Sequence, residues 1–362
     1  MGQFFRSILI VVNLVFWVAL VLSFWAPVTN PSDSWFLAIF GLTAPYLLLV
    51  NTIFVLFWLI VRRWYFLFSL LLILFGWKHI SKIISFKSSE AIAEGRKALK
   101  VMTYNVQNFD LYNWTENEES RDNMLRLIKD QNPDIISFQE FYTDEDDENF
   151  HNIKLLVNEL EYKHFHFEKT LTIKEKNHWG LATFSKFPLS NKNRVDINGS
   201  RGNLITFCDV SLDSGKDYRL FNVHLQSIGL GKNDYKFFKK FSVQNPDIKS
   251  SKSILKKLKD AYIKRAEQAN LLAGYVDESP HPVIVCGDLN DTPLSYAYER
   301  LNSRLKDSYR EVGFGLGGTY AGPLPSFRID YVFVDSSIQV SDFEIIKKDY
   351  SDHYPVTVVL GI

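Results

Sequence analysis

Three long apolar runs occupy the first 80 residues, and they restrict this part of the chain more than any other sequence feature does. Residues 8–25 are almost entirely apolar, and residues 35–61 form a second, longer run. Residues 64–77 form a third, shorter run bounded by tryptophans. Because a helix needs about 20 apolar residues to cross a bilayer, the first two runs predict transmembrane helices.

Two of these runs, the third and the first, have an alternative interpretation. The third run is long enough to cross only if Arg62, Arg63 and Lys78 reach the membrane interfaces; a buried core helix is the alternative. The first run has the form of a signal peptide, since Arg6 precedes it, but no small-residue cleavage site follows it. We therefore expect residues 1–80 to form a membrane anchor with three transmembrane helices.

The cations around these runs predict an orientation. If all three runs cross, Arg6 and the Arg62–Arg63 pair lie on one side, and the loop of residues 26–34 has no cation. The positive-inside rule then places the amino terminus in the cytoplasm and the chain beyond residue 80 on the extracytoplasmic side. The lysines that follow the third run argue for the opposite orientation.

The rest of the chain is close to neutral. Of 41 Lys and Arg and 41 Asp and Glu, four cations and one acid lie in residues 1–80, which leaves 37 basic and 40 acidic residues beyond them. Such a balance lacks the overall basic charge typical of nucleic-acid-binding proteins. Cys208 and Cys286 lie far apart in apolar, strand-like segments, so we interpret them as buried small side chains and not as a disulfide or a nucleophile.

Beyond the apolar runs, composition predicts a linker followed by one folded domain. Residues 81–100 are rich in Lys, Ser, Ala and Glu, which is typical of a linker. Residues 101–362 alternate short β-rich runs with helical ones: residues 204–212 and 218–225 predict a hairpin, and residues 254–276 predict a long helix. Hairpins mixed with β–α units predict two packed mixed sheets flanked by helices, a four-layer α/β sandwich.

Four segments of this domain each end a strand-like run on a carboxylate, an amide or a histidine. A carboxylate at the end of a buried strand must be paired, hydrogen-bonded or metal-bound to avoid a desolvation cost. Oxygen ligands without thiols suit Mg²⁺ or Mn²⁺. The sequence therefore predicts a divalent-metal site at strand ends. The segments are residues 101–105 (VMTYN), 135–140 (IISFQE), 283–290 (VIVCGDLN) and 351–353 (SDH).

Two histidines accompany these carboxylates. His353 follows Asp352 directly, and His224 ends the apolar run of residues 220–223. Asp330 lies in the segment Arg-Ile-Asp-Tyr, where its carboxylate can orient a histidine. Imidazoles beside metal-binding carboxylates are typical of a hydrolytic site.

Taken in order, these motifs resemble those of the endonuclease/exonuclease/phosphatase superfamily, over roughly residues 101–362. That family has a four-layer α/β sandwich and includes deoxyribonuclease I, abasic-site endonucleases, neutral sphingomyelinases and inositol-polyphosphate 5-phosphatases. The resemblance implies a metal-dependent hydrolase acting on phosphoric ester bonds. The motifs are Asn105, Gln139-Glu140, Trp179-Gly180, residues 185–188 (SKFP), Asn222-Val-His224, residues 287–290 (GDLN), residues 328–331 (RIDY) and residues 351–353 (SDH).

The resemblance implies which residues bind the metal and which act on the attacking water and the phosphate. Glu140 would bind the metal, Mg²⁺ or alternatively Mn²⁺, supported by Asn105 and Asp352. Asp288 would orient or deprotonate the attacking water, and Asn290 would bind the phosphate.

The histidines complete the implied site. His353, paired with Asp330, would act as general base or stabilise the negative charge that develops on the phosphate; the sequence leaves open whether Asp288 or His353 takes the proton. His224 would contact the phosphate or assist the leaving oxygen. Deoxyribonuclease I-like members pair the histidine at this position with a glutamate, and here His178 stands at about that place. Asn105 and His178 are thus also candidates for substrate contact.

Several substrates and one non-enzymatic role are compatible with these residues. A phosphodiester is expected, with nucleic acid first and a phospholipid headgroup such as that of sphingomyelin second, because the domain is tethered to a bilayer. Residues 232–265 interleave basic and aromatic side chains and are either the exposed face of a helix or a grip for a polyanion or an acidic lipid surface. A catalytically silent, membrane-displayed binding module is the alternative from another class. No protein partner is predicted.

Overall fold

The computed structural model of the chain describes residues 2–197, 202–212, 215–231, 234, 248–322 and 326–362. It begins with two long helices, α1 (Gln3–Trp25) and α3 (Phe36–Ile60), each long and apolar enough to cross a membrane. A 3₁₀ turn (Ala26–Val28) and the short helix α2 (Pro31–Ser34) connect them. The first two apolar runs therefore form helices of the length that a bilayer requires.

The third apolar run is divided between two helices. They are α4 (Phe66–Phe75) and α5 (Trp77–Ile83), which meet at Gly76 with a bend of 74°. Among the described residues there are thus two candidate spans, or three if the bent pair is counted as one. The three-helix anchor stays a prediction.

Buried polar side chains join α1, α3 and α4. Asn13 donates to Ser69 Oγ at 2.9 Å, and Ser69 in turn donates to Asn51 Oδ1 at 2.9 Å. Trp58 Nε1 donates to Asn13 Oδ1 at 3.2 Å. Because apolar side chains gain little from association in lipid, hydrogen bonds of this kind help to hold transmembrane helices together.

The segment predicted as a linker lies along the folded domain. Strand β1 (Ser85–Phe86) pairs with β11 (Phe314–Gly315). Farther on, the Glu90 amide donates to the Ser341 carbonyl at 2.8 Å, and Lys97 exchanges backbone hydrogen bonds with Ile362. These contacts fasten residues 81–100 to the domain surface.

Two six-stranded mixed sheets form the domain. The order of the first is β13-β14-β2-β3-β5-β4, and that of the second is β10-β12-β9-β8-β7-β6. Each sheet contains one parallel pair at its centre, β2 with β3 and β8 with β9. The strands are β2 (Ala98–Asn105), β3 (Ile135–Asp144), β4 (His164–Ile173), β5 (Asn177–Ser185), β6 (Leu189–Val195), β7 (Leu204–Ser211), β8 (Asp217–His224), β9 (Val283–Asp288), β10 (Lys306–Asp307), β12 (Asp330–Val334), β13 (Gln339–Ile345) and β14 (Val356–Gly361).

Helices cover the outer faces of both sheets. Met124 and Ile128 of α6 (Ser120–Gln131) are buried against the first sheet, and Ala269 and Leu272 of α8 (Ile248–Asp277) against the second. A third apolar core lies between the two sheets. This arrangement confirms the predicted four-layer α/β sandwich. The remaining helices are α7 (Asn152–Asn158), α9 (Tyr296–Asn302) and α10 (Ser308–Val312).

The N-terminal helices pack directly on the sandwich. Ala44 of α3, Ile83 of α5 and Leu294 form a small buried apolar cluster. Lys82 is 2% exposed and pairs with Glu299 of α9, while Arg328 donates to the Lys82 carbonyl at 2.8 Å. The two parts of the chain therefore share a packed, hydrogen-bonded contact.

Candidate active site

The two parallel strand pairs place their carboxyl ends at one edge of the sandwich. In the first sheet Asn105 is in register with Gln139, directly before Glu140. In the second sheet His224 is in register with Asp288. Side chains that follow parallel strands meet at the same edge, so four of the predicted residues converge there. We call the whole group the strand-end site: Asn105, Glu140, His224, Asp288, Asn290, Asp330, Asp352 and His353.

Asp288 lies at the centre of this site. It is 1% exposed, and its Oδ2 accepts hydrogen bonds from Asn105 Nδ2 at 3.2 Å and Asn290 Nδ2 at 3.0 Å. Its Oδ1 accepts from the Asn290 amide at 2.7 Å. Gly287, the residue before it, has φ +141°, and a Cβ there would lie 2.0 Å from the Val223 carbonyl oxygen. Only glycine allows β9 to approach β8 this closely just before the carboxylate.

His353 is held by a carboxylate across the sheet. Its Nδ1 lies 2.9 Å from Asp330 Oδ2, and both side chains are buried. Asp330 opens β12 and is the antiparallel partner of Asp288. The Thr319 hydroxyl accepts from the Asp330 amide at 3.1 Å. This arrangement fixes the ring so that the other nitrogen, Nε2, faces Asp288.

The two imidazoles lie on either side of Asp288. Its Oδ2 is 3.7 Å from His224 Nε2 and 3.8 Å from His353 Nε2. Burial lowers the pKa of His224, and the nearby Asp288 only partly opposes this effect. Burial also acts to lower the pKa of His353, but Asp330 and Asp288 outweigh it and hold that pKa well above its ordinary value. One imidazole is therefore neutral and the other charged near pH 7.

Glu140 and Asp352 form a second acidic group at the site. Burial, reinforced by Asp352, raises the pKa of Glu140 to about 7. Burial likewise raises the pKa of Asp352. In the described part of the chain, no Lys or Arg forms an ion pair with either carboxylate. Two half-buried carboxylates that repel each other, with the Asn105 amide beside Glu140, fit a hard divalent cation.

A different trio can also offer ligand atoms close together. One atom each of Asp288, Asp330 and His353 lies within 4.8 Å of the others. However, His353 Nδ1 is already hydrogen-bonded to Asp330, and burial raises the pKa of Asp288 to about 6 with Asp330 adding to the effect. This trio is thus internally paired, whereas among the described residues Glu140 and Asp352 form no ion pair with a lysine or arginine.

The structure does not bring His178 to this site. Its buried ring lies between Thr172, 3.0 Å from Nδ1, and Glu145 and Lys169, each 3.0 Å from Nε2. It lies on β5, in register with Thr143 of β3. His224 instead lies 3.7 Å from Glu140 Oε1. Both ring nitrogens of His178 thus have partners outside the strand-end site, and its assignment as a substrate contact stays a prediction.

Several residues around the site were not assigned a role from the sequence. Gln139 Nε2 donates to Asn222 Oδ1 at 2.7 Å, and Asn222 Nδ2 donates to the carbonyls of Phe138 and Ala182 at 3.1 Å, which ties the two sheets together beneath the site. The polarity of Gln139 and Asn222 within otherwise apolar strands is the sequence feature that could have identified them. Tyr320, whose ring centroid is 5.6 Å from that of His353, had no such signal.

Two clefts give access to the strand-end site. The larger, of about 730 Å³, is lined by Glu140 and His224 together with Leu171 and Trp179. The smaller, of about 280 Å³, contains Asp288 and His353, and we call it the central pocket. Most of the basic and aromatic segment near His224, residues 232–233 and 235–247, lies outside the described residues. Its helical remainder belongs to α8.

Comparisons with known families match both parts of the chain. The model of the Endonuclease/Exonuclease/phosphatase family matches residues 102–353, and a Domain of unknown function (DUF8431) matches residues 6–83. No curated protein sequence matches the chain.

Solved structures share the fold. A Beutenbergia cavernae endonuclease/exonuclease/phosphatase has TM-score 0.54 at 20% identity, over 74% of this chain and 72% of that chain. The mannosyl-6-phosphatase of Bacteroides thetaiotaomicron has TM-score 0.52 at 19% identity, over 72% and 99%. The human Nocturnin catalytic domain with bound sulfate has TM-score 0.52 at 18% identity, over 75% and 96%. At these identities the likeness concerns the fold.

Proposed function

Because this chain belongs to the endonuclease/exonuclease/phosphatase family, whose members hydrolyse phosphoric esters, we propose that it is a membrane-anchored phosphodiesterase that depends on a divalent metal. One observation carries the proposal. Two imidazoles flank the same buried carboxylate, at 3.7 and 3.8 Å from Asp288 Oδ2. Burial lowers the pKa of His224, whereas Asp330 and Asp288 raise the pKa of His353 against the effect of burial. Neighbouring groups held in different protonation states are typical of acid–base chemistry.

Glu140, Asp352 and Asn105 would hold the metal. Their oxygens suit Mg²⁺, or alternatively Mn²⁺. When bound, such an ion supplies Lewis-acid polarisation of a phosphoryl oxygen and neutralises negative charge. Glu140, whose pKa is raised by burial and by Asp352, would ionise more readily beside such a charge.

Asp288 is the candidate for orienting the attacking water. Asn105 and Asn290 hold one of its oxygens from two sides, which fixes the direction in which the carboxylate can accept a proton. The water oxygen forms a bond to phosphorus, one P–O ester bond breaks, and the proton released by the water restores the leaving oxygen to a hydroxyl. Asn290 lines the same pocket, but its Nδ2 donates to Asp288 Oδ2 and to the Leu225 carbonyl, each at 3.0 Å, so a contact with phosphate would have to replace one of these hydrogen bonds.

The histidines have different tasks in this scheme. Since Asp330 keeps His353 protonated, its Nε2 is a charged donor suited to the negative charge that develops on the phosphate. This favours Asp288 over His353 as the group that takes the proton. His224 is neutral and is placed to donate a hydrogen bond to the phosphate or the leaving oxygen.

The N-terminal helices supply the anchor. Two of them have the length and apolarity of membrane spans, and a third crossing by the bent pair would return the chain to the side of residues 26–34. Arg6, Arg62 and Arg63 then lie on the opposite side. By the positive-inside rule, we propose that the domain lies on the extracytoplasmic side.

The substrate class is proposed as a phosphodiester. Nucleic acid was the first expectation from the sequence and a phospholipid headgroup the second. Residues 232–265 could bind either, and residues 232–233 and 235–247 lie outside the described part. The choice between nucleic acid and phospholipid therefore depends on the surroundings of the central pocket.

The test is hydrolysis by the purified full-length protein in lipid nanodiscs with Mg²⁺ or Mn²⁺. The substrates are bis-p-nitrophenyl phosphate, plasmid DNA, RNA and sphingomyelin. We expect metal-dependent turnover of at least one, reduced at least about a hundredfold by Asp288→Asn and by His353→Gln. His166→Gln is the matched control, because His166 is as buried as His353 (6% against 5% exposed) but lies outside the site.

Two results would contradict the proposal. One is a folded protein that neither binds metal nor turns over any of the four substrates, which would favour the binding module. The other is turnover that survives His353→Gln as well as it survives His166→Gln.

A further inference from the structure

An apolar cavity of about 330 Å³ lies between α3 and the sandwich. Helix α3 contributes Pro45, Leu48 and Leu49 to its wall, and the sandwich contributes Pro293 and Phe327. Its volume is within the range of small-molecule sites. Since α3 is one of the candidate membrane spans and Leu49 is 57% exposed, this cavity is accessible from the apolar part of a bilayer.

This cavity adjoins the central pocket. Thr292 and Phe327 line both of them. Leu42, three residues before Pro45 on α3, lines the central pocket together with Asp288 and His353. A single helix therefore lines the central pocket at Leu42 and the apolar cavity from Pro45 to Leu49, about 5–10 Å farther along at a rise of about 1.5 Å per residue.

The contact between α3 and the sandwich is close enough to keep the two spaces aligned. A Cβ on Gly41 would lie 2.1 Å from the Leu294 carbonyl oxygen. Leu294 is in the loop that follows Asp288 and Asn290, so the backbone of α3 packs on the catalytic loop itself. The Tyr46 and Phe327 rings also meet edge to face at 6.3 Å between centroids.

We propose that the apolar cavity holds the hydrocarbon chain of a membrane lipid whose phosphodiester lies in the central pocket; this rests on the proposed function. A polar, metal-compatible end and an apolar end about 5–10 Å apart along α3 match an amphiphile and not a polynucleotide, whose backbone is charged throughout. The lipid enters sideways from the bilayer along the exposed face of α3. Hydrolysis adds water across one P–O ester bond and releases an alcohol and a phosphomonoester.

Alkyl p-nitrophenyl phosphodiesters isolate the contribution of the chain. The methyl and dodecyl esters share the phosphodiester and the chromogenic leaving group and differ only in their alkyl chains. The full-length protein in nanodiscs should hydrolyse the dodecyl ester with a kcat/KM at least about tenfold higher than that of the methyl ester, because each methylene in an apolar pocket contributes to selectivity.

Filling the cavity should remove this preference. Leu49→Trp places a larger ring in the cavity, and we expect the dodecyl-to-methyl ratio of kcat/KM to fall at least about tenfold. Leu56→Trp is the matched control: Leu56 is on the same helix and similarly exposed, 55% against 57%, but does not line the cavity. Its ratio should equal that of the wild type.

The outcomes separate this inference from the proposed function. If both esters are hydrolysed equally, or if Leu49→Trp and Leu56→Trp have the same ratio, the inference is overturned and the phosphodiesterase stands. Plasmid DNA cleaved faster than sphingomyelin or phosphatidylglycerol in the nanodisc, with no effect of Leu49→Trp, would likewise overturn it in favour of nucleic acid. If neither ester nor DNA is hydrolysed, both proposals fail together.

Discussion

Gly41 of α3 packs against the backbone of Leu294 so closely that no side chain would fit between them. A Cβ on Gly41 would lie 2.1 Å from the Leu294 carbonyl oxygen. These residues are more than 250 positions apart. Their contact joins a candidate membrane span to the loop that carries Asp288 and Asn290. Helix α3 is thus part of the wall of the central pocket, which Leu42 lines.

Replacement of Gly41 by alanine should weaken this contact. The added methyl overlaps backbone, which cannot move aside as a flexible side chain can, so we expect a loss of about 1–3 kcal/mol and reduced turnover. Gly274→Ala in α8 is the control, since nothing lies within 4 Å of a Cβ there. That variant should gain about 0.5–1 kcal/mol. Thermal unfolding of both in nanodiscs checks the prediction, and equal melting temperatures would refute it.

Asp330→Asn should lower the pKa of His353. Burial favours the neutral ring, and the carboxylates of Asp330 and Asp288 raise the pKa above the ordinary 6.5. A raised folded-state pKa stabilises the protein fully below pH 6.5, and this contribution is lost as pH rises through the folded pKa. The stability difference between wild type and Asp330→Asn should therefore shrink at high pH. NMR titration of labelled histidine in metal-free protein measures the shift; an unchanged His353 titration would show that Asp330 does not raise this pKa.

Mg²⁺ or Mn²⁺ should stabilise the protein through Glu140. A ligand that binds only the folded state adds about 2.7 kcal/mol at a concentration of 100 times Kd. We expect millimolar metal to raise the melting temperature of the wild type and chelation to reverse the effect. Glu140→Gln should lose most of the increase, whereas Glu278→Gln, an exposed glutamate in the turn after α8, should keep it. A full increase in Glu140→Gln would place the metal elsewhere.

The variants His224→Gln and His178→Gln should differ sharply in kcat. His224 lies 3.7 Å from both Glu140 and Asp288, so His224→Gln should reduce kcat about a hundredfold, as loss of a donor to a developing charge does. His178 is bonded to Thr172 and Glu145. His178→Gln should alter stability and leave kcat within about threefold. Steady-state kinetics on bis-p-nitrophenyl phosphate compare them, and similar losses would restore His178 to the site.

Glu299→Gln should destabilise the contact between α5 and the sandwich. It removes the partner of the buried Lys82 ammonium. We expect the free energy of unfolding to fall by about 1–3 kcal/mol. This is less than for a fully buried pair, because the Glu299 side chain is 25% exposed. Glu311→Gln, an exposed change on α10, is the comparison. Urea unfolding measures both, and a Glu299→Gln midpoint equal to that of Glu311→Gln would show that the pair contributes nothing.

The sequence predicted the sandwich because strands buried on both faces leave short apolar, β-rich runs, as in β9 and β12. The hairpin expected at residues 204–225 is β7 (Leu204–Ser211) and β8 (Asp217–His224), and the long helix is α8 (Ile248–Asp277). Helix α6 ends at Gln131, and the next residue, Asn132, has φ +45° and precedes Pro133, two features typical of a helix end. The sequence did not predict that the third apolar run is divided into two helices, since apolarity alone does not locate the 74° bend at Gly76.

What the sequence determined by itself is the chemistry available at the strand ends, because a polar side chain that follows a buried strand is recognisable from its neighbours alone. Which of those groups carry charge was decided only by the tertiary structure. His224 and His353 have the same intrinsic pKa and diverge because Asp330 contacts one of them. The position of α3 beside the central pocket was also decided only by the tertiary structure. It depends on distances between residues far apart in the chain, and local sequence patterns carry no record of such distances.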